Sequence, residues 1–475
     1  MKKNVTVSTK TEAKQKPAVK RVQFYHVPRN DRYEMGRQMR KKCPRSSHKI
    51  WEPPVNRKSP VSFIIESDKE RIQKLVPLRH GRMARSPFTF YRGAALIMAA
   101  DLSGTPVTGM YVQACGDAHL CNFGGFATPE RNVIFSINDL DETLPAPWEW
   151  DVKRLAASFV VACRNNNLSE IIARKTVLEC VRSYRENMAL FSEMKTMELW
   201  HFSLGAEMMI SRIKDADIKR RGLNRLEKEK SRSIAEEIFP QIASGSGEQK
   251  FIKDQFPSIF HWEGHPPGEV TQSIKDAFEL YKTSLPPGFS FLLDRYELKD
   301  AVIKVVGVGS VGTACWVTLL MTGDGDPLFI QAKEARKSVF EAFAGKSKYP
   351  NNGQRVVNGY RLIQPFSDPF LGWTVGKEGK HYFFRQLRDI KISLKVETFG
   401  KYEMVNYADW CGQALALSHA RSGDAAMLSG YMGSSDVFDL AIADFSFAYA
   451  DQNEKDHASI LKAIKSGRLK AQYEE

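Results

Sequence analysis

The chain lacks a disulfide framework, a thiolate metal motif, a membrane-length apolar run and an internal repeat, and each absence removes a class of function. Its seven cysteines, at positions 43, 115, 121, 163, 180, 315 and 411, form no CxxC pair and keep no regular spacing. An odd, scattered set argues against disulfide staples and a structural zinc site, and for a reducing compartment. The N-terminus is basic but has no apolar run behind it, so it does not read as a secretory signal. The apolar stretches 94–100 and 155–162 fall far short of the roughly 20 residues that a membrane span needs. A soluble, cytoplasmic protein is expected.

Acidic residues are scarce only at one end. Residues 1–58 carry 17 Lys/Arg against 4 Asp/Glu, whereas the rest of the chain carries 52 against 51. The net charge of +14 therefore belongs to a tail and not to the folded body. The tail has few aliphatic residues and is expected to be largely disordered. Such a tail can touch nucleic acid or anionic lipid. It lacks the aromatic–basic interleaving that stacks bases, so a solvated extension is the plainer expectation.

What remains is long and ordinary enough to build sizeable cores: 475 residues, 43% hydrophobic and 26% charged. Residues 59–200 are dense, with a short helix at 93–102, strands at 110–114 and 133–137, and a helix at 151–164 that opens on Asp151. Residues 201–294 read as a charged helical and proline-rich connector. The pattern changes near residue 300. Strands at 301–306 and 313–321 flank a glycine loop, and strands at 328–333 and 381–387 follow. Residues 295–395 thus form an antiparallel β part, and 396–475 return to helix. The order is helical part, β part, helical part, an α+β arrangement.

Three constellations carry chemistry. In Cys115-Gly-Asp-Ala-His-Leu-Cys-Asn122, Asp117 and Asn122 have the five-residue spacing of a kinase catalytic loop. There a carboxylate accepts the proton of the acceptor hydroxyl and an amide oxygen holds a metal ion. An Asp–Asn pair in a turn also occurs as simple turn chemistry. Next, the strand 133–137 runs into Asn138-Asp139-Leu140-Asp141-Glu142, a density of oxygen ligands that suits Mg²⁺ or Mn²⁺; an acidic turn that caps a helix is the alternative for Asp141 and Glu142. Last comes Gly307-Val-Gly309-Ser310-Val-Gly312-Thr313. A GxGxxG pattern has little specificity alone. Here strand follows it instead of helix, which fits a flap over a nucleotide. Lys333, at the end of the next strand, can neutralise phosphates from a fixed position. Glu341 and Glu334 are its candidate glutamate partners.

These segments, with SPFTFYRGAALIMAADL, INDLDETLPAPWEWDVKRLAASFVVA, FFRQLRD, SHARSGD and FAYADQNEKDH, make residues 79–165 and 295–460 resemble a bacterial family known as domain of unknown function 2252. More distantly the loops resemble those of aminoglycoside and choline phosphotransferases. Asp117, His119 and Asn122 fall on the first motif of those enzymes, Asp139 and Asp141 on the second, and Asp151 on the third. Cys115 stands where they have His. The resemblance implies a two-lobed, protein-kinase-like fold with Asp117 as base, Asn122 and Asp139 on metal, Lys333 on phosphate, and ATP and Mg²⁺ as cofactors. The glycine loop follows the catalytic loop here, so a circular permutation is implied.

The leading expectation is a phosphotransferase acting on a nucleotide and a small molecule. A nucleotide-binding pseudoenzyme, or an enzyme that transfers AMP, is the second. A binding module whose basic tail contacts nucleic acid is the third.

Overall fold

The computed structural model describes residues 26–230, 239, 243–244, 250–262, 266–387, 391–392 and 394–474. Its organising element is the helix Trp148–Asn165, in which every residue from 148 to 163 is buried. A helix shielded all round must run inside a core. This one packs against Pro87–Gly93, Glu170–Glu193 and Val437–Lys465. Val152, Leu155, Phe159, Val181, Tyr184, Leu415 and Phe445 share the resulting core. Four charged side chains, Glu149, Asp151, Lys153 and Arg154, are carried into it on the first turns of the helix. Buried charges need partners, and two of these four meet the candidate site.

Beside that core stand two small antiparallel ladders. Tyr111–Ala114 pairs with Leu144–Pro147. Phe123–Ala127 lies between Val133–Ile137 and Lys391–Ile392. The strand Phe123–Ala127 is invisible to β propensity because two of its five residues are glycine. A Cβ at Gly124 would lie 2.6 Å from the Asn138 side chain, which is why that position stays bare.

The second layer is a six-stranded antiparallel sheet in the order Gly372–Val375, His381–Gln386, Pro327–Glu334, Cys315–Met321, Glu297–Lys304, Ile259–Phe260. Alternation fixes its two faces. Leu328, Ile330 and Ala332 pack with Tyr281 of the helix Gln272–Lys282. Phe329, Gln331 and Lys333 therefore point the other way, and Lys333 lies opposite Cys315 and Phe383. The glycine loop joins Glu297–Lys304 to Cys315–Met321. Gly307 (φ +61°) and Gly312 (φ +84°) occupy the left-handed region that favours glycine.

The strands at 133–137 and 381–386 and the long C-terminal helices fall where the sequence places them. The helix expected at 93–102 is found at Ala95–Leu102, and a further helix, Pro87–Gly93, precedes it. The connector contains the helix Gln272–Lys282, and the β part is interrupted by the helix Asn352–Ile363.

The disordered-tail expectation needs correction for residues 26–58; residues 1–25 lie outside the described residues. Arg29–Met39 is a helix packed on Ala425–Met432. The contact brings backbone close to backbone, with Met35 and Met39 packed partly buried against the core. A Cβ at Gly36 would lie 2.0 Å from the Met427 oxygen, and one at Gly430 would lie 1.9 Å from the Tyr33 oxygen. Several of the arginines are engaged in internal contacts. Arg40 donates to the main-chain oxygens of Tyr431 and Gly430, and Arg45 to that of Met432. Arg57 bridges Asp101 and Asp456 with distances of 2.6–2.8 Å.

Candidate functional site

The catalytic-loop candidate is set by a turn that only glycine permits. Gly116 has φ +87°, and a Cβ there would lie 2.3 Å from the Glu142 oxygen. The turn is held from below by Asp151, fully buried, whose carboxylate accepts the N–H of Cys115 at 2.5 Å and of Gly116 at 3.1 Å. His419 Nε2 lies 3.3 Å from the same carboxylate, and Tyr184 Oη is 2.8 Å from His419 Nδ1. The Cys115 thiol points to the Asp139 main-chain oxygen at 3.5 Å, tying the loop to the acidic segment. Burial and the Asp151 charge push that thiol well up.

Asp117 then faces the cleft. Arg154, one turn after Asp151 on the same helix, grips its Oδ1 through Nε at 2.6 Å and Nη2 at 2.5 Å. Arg154 is itself buried and lies over the Tyr91 ring at 4.6 Å. The Asn122 amide nitrogen donates to the Asp117 main-chain oxygen at 2.7 Å, which orients the amide. His119 is buried, and burial lowers its pKa to about 4, so it is neutral at physiological pH.

The strand Val133–Ile137 delivers the acidic segment against Lys333. Lys333 Nζ lies 3.2 Å from Asp139 Oδ1 and 2.6 Å from Asp141 Oδ2. Burial opposes the lysine charge, but the two carboxylates outweigh it and its pKa rises. Two carboxylates sharing one ammonium cannot be equal. Burial and the Asp139 charge push Asp141 up; for Asp139 burial is outweighed by Lys333 and Arg385, which hold it down. The segment's backbone is fastened by residues that sequence reasoning did not assign. Arg355 donates to the main-chain oxygens of Thr143, Asp141 and Arg336. Tyr360 and Arg385 both donate to that of Asn138 at 3.1 Å.

The glycine loop forms the opposite wall. Gly307, Gly309, Ser310 and Thr313 line the same cleft as Asp117, Asn122, Asp139 and Asp141. Gly312 stands behind it, its oxygen accepting the Ile72 N–H at 2.8 Å. Arg71, in a bend, donates to Val311 O at 2.6 Å and Arg82, in the helix Val76–Ala84, to Gly307 O at 2.7 Å, so the chain before the Asp117 loop clamps the glycine loop. Lys333 reaches the site from beneath, through the acidic pair. Neither glutamate candidate partners it. Glu334 accepts the Ala314 N–H at 3.0 Å and pairs with Arg336 at 2.9 Å, and Glu341 is 3.4 Å from the Ser338 N–H.

Among the described residues, no group of three or more His, Cys, Asp or Glu could hold a metal ion. The candidate ligands are therefore two carboxylates and an amide, a partial oxygen set that leaves positions for phosphate and water as Mg²⁺ requires. Asp141 Oδ1 is buried without a hydrogen-bond partner, as an oxygen reserved for a cation would be.

Arg154 and His419 carried a signal that could have found them. Arg154 follows Asp151 by three residues, so both lie on one helical face; His419 sits in the SHARSGD segment, quoted above without a role.

Among the described residues, no helix is long and apolar enough to cross a membrane. No curated protein and no solved structure matches the chain. The sequence profile of one family, described as an uncharacterized protein conserved in bacteria (DUF2252), matches residues 71–463, and the chain belongs to that family.

Proposed function

We propose that the protein is an ATP- and Mg²⁺-dependent phosphotransferase of two-lobed, kinase-like and circularly permuted fold, acting on a small molecule. The observation that carries this reading is the meeting of Lys333 and Asp139. They are 194 residues apart in the chain and 3.2 Å apart in space, beneath a cleft lined by Asp117, Asn122 and the glycine loop. Nothing local brings the two together, and a shared phosphate–metal site gives a reason for the arrangement.

In this reading Asn122, Asp139 and Asp141 would hold Mg²⁺, which supplies charge neutralisation on the phosphate oxygens. The flap backbone would face the nucleotide, and Lys333, which does not line the cleft, would act on it through Asp139 and Asp141. Arg154 fixes Asp117 by Oδ1 and leaves Oδ2, 3.8 Å from His119 Nε2, to receive the acceptor proton. The acceptor oxygen bonds to the γ-phosphorus, the bond to the ADP oxygen breaks, and the acceptor proton passes to Asp117. The reducing, cytoplasmic setting belongs to the same proposal, since all seven cysteines are free thiols and six are buried.

One observation favours the second reading, a pseudoenzyme or an AMP-transferring enzyme. The Arg154 grip suits Asp117 to binding as much as to proton transfer. The nucleic-acid reading rests on basic residues other than Arg40, Arg45 and Arg57, which make internal contacts; seven of them lie in residues 1–25, outside the described residues.

Thermal melting tests the nucleotide site. Mg-ATP is expected to raise the melting temperature by mass action on the native state. Lys333→Ala is expected to shrink that rise, and Asp117→Asn to keep it while abolishing turnover. No rise at millimolar Mg-ATP with folded protein would refute the reading.

A further inference from the structure

Lys333 is not a cation that a ligand in the cleft meets directly. Its ammonium is taken by Asp139 and Asp141, and the residue does not line the cleft. Mg²⁺ neutralises only part of a triphosphate's charge, so a nucleotide seated here needs a cation on the cleft wall itself. Four arginines stand there, Arg71, Arg79, Arg92 and Arg336. Three are committed to the protein. Arg79 pairs with Asp68 at 2.7 Å, Arg71 donates to Val311 O at 2.6 Å, and Arg336 pairs with Glu334 at 2.9 Å and donates to the Glu70 main-chain oxygen.

Arg92 is different. Its Nε is buried without a hydrogen-bond partner, and the carboxylate it pairs with, Glu397, is half-exposed and 3.7 Å away. A pair that loose in solvent contributes little, whereas a buried guanidinium donor left empty costs free energy until an acceptor arrives. Its place in the cleft identifies the acceptor. Arg92 lies in the last turn of the helix Pro87–Gly93, against the glycine loop: a Cβ at Gly309 would lie 3.3 Å from the Arg92 main-chain oxygen. Its side chain lines the same space as Gly307, Ser310, Asp117 and Asp139. We infer that Arg92 is the phosphate-binding cation of this cleft, its planar fork taking non-bridging oxygens of the nucleotide's terminal phosphates beneath the flap. The inference rests on the proposed nucleotide reading, and it moves to Arg92 the direct phosphate contact expected of Lys333.

Calorimetric titration of the full-length protein with a non-hydrolysable ATP analogue and Mg²⁺ reads the contact, and inorganic tripolyphosphate with Mg²⁺ reads it without the base. Arg92→Gln is expected to weaken both roughly tenfold or more, and to flatten the loss of affinity with added salt. Arg92→Lys is expected to keep part of the affinity, because the charge survives without the fork; it carries the test should Arg92→Gln fail to fold. Glu397→Gln, which frees the arginine from its surface pair, should leave the affinity unchanged or raise it. Arg174→Gln, which alters an exposed pair with Asp444, should leave it unchanged. Binding of the ATP analogue that survives in the Arg92 variants, or that falls as far in Glu397→Gln, would overturn the inference and leave the nucleotide reading standing. Tripolyphosphate held through Arg92 by a protein that ignores the ATP analogue would sink the nucleotide reading and keep Arg92 as a polyphosphate contact. Binding of neither probe would overturn both.

Discussion

Asp151→Asn separates an electrostatic account of the loop from a purely steric one. The two side chains have nearly the same shape, so packing in the core is unchanged. Asp151 accepts two main-chain N–H groups, from Cys115 and Gly116, and is fully buried. Asparagine has one acceptor oxygen, so one N–H must face an amide NH₂ and lose its partner. A hydrogen bond to a charged group is worth about 1.5–3 kcal/mol, and an orphaned buried donor costs about 1–3 kcal/mol. Relief of the carboxylate's own desolvation offsets part of this, leaving about 2–4 kcal/mol of destabilisation. Asp151→Ala should cost more, since it orphans both donors and opens a cavity. The assay is urea unfolding together with amide hydrogen exchange at Cys115 and Gly116, whose protection should fall in the Asn variant. A double-mutant cycle with His419→Gln should show coupling, because His419 bonds the same carboxylate. If Asp151→Asn unfolds within about 0.5 kcal/mol of the parent and both amides keep their protection, the carboxylate is not what holds the turn.

Three further outcomes follow from the contacts. Arg57→Met leaves Asp101 and Asp456 buried without their cation, and should cost about 3–5 kcal/mol in urea unfolding; deletion of residues 1–58 should cost more. Gly36→Ala should also lower the unfolding midpoint, since its Cβ would lie 2.0 Å from the Met427 oxygen; an unchanged midpoint would mean that the two helices part freely. On acidification, His48 is the group to follow: burial, then the Lys153 charge, lower its pKa to about 3. The unfolded chain therefore binds a proton near pH 6.5 that the folded chain refuses, so stability present above 6.5 falls towards lower pH by up to about 1.4 kcal/mol per unit. His48→Gln should flatten the stability–pH slope by about one proton, and an identical slope would refute the assignment.

Legibility in the sequence followed the kind of force at work. Val133–Ile137 and His381–Gln386 are rich in β-branched and aromatic residues, so their pairing is advertised by side chains. Arg29–Met39 fully buries only Gly36 and packs just Met35 and Met39 against the core. It docks through Gly36, Gly430 and arginine-to-carbonyl bonds, and no composition rule sees a contact made by backbone. Asn352–Ile363 is different: it buries Val356, Val357, Tyr360 and Ile363 in the core, and it also carries Arg355 and Tyr360 to main-chain oxygens of the acidic segment, contacts that do not depend on the residue type of the acceptor.

The candidate site shows the same division. Asp117, Asn122, Asp139 and Lys333 could be picked out because their chemistry needs particular side chains at particular spacings. What could not be read was who neutralises whom. The sequence leaves the partner of Lys333 open, with Glu341 and Glu334 as candidates, and the lysine is taken by Asp139 and Asp141. Asp117, for which the sequence names no cation, shares an oxygen with Arg154. Burial explains both. A lysine 5% exposed must have a counter-ion, and the nearest carboxylates are those the acidic segment brings over the sheet face that Lys333 occupies. A buried Arg154 likewise must have one, and Asp117 is the carboxylate within its reach. The two ion pairs thus tie the Asp117 loop to the central helix and the acidic segment to the sheet. The two halves of the cleft are registered to one another by charge, and substitution at Lys333 should disturb the geometry of the site as well as any ligand it holds.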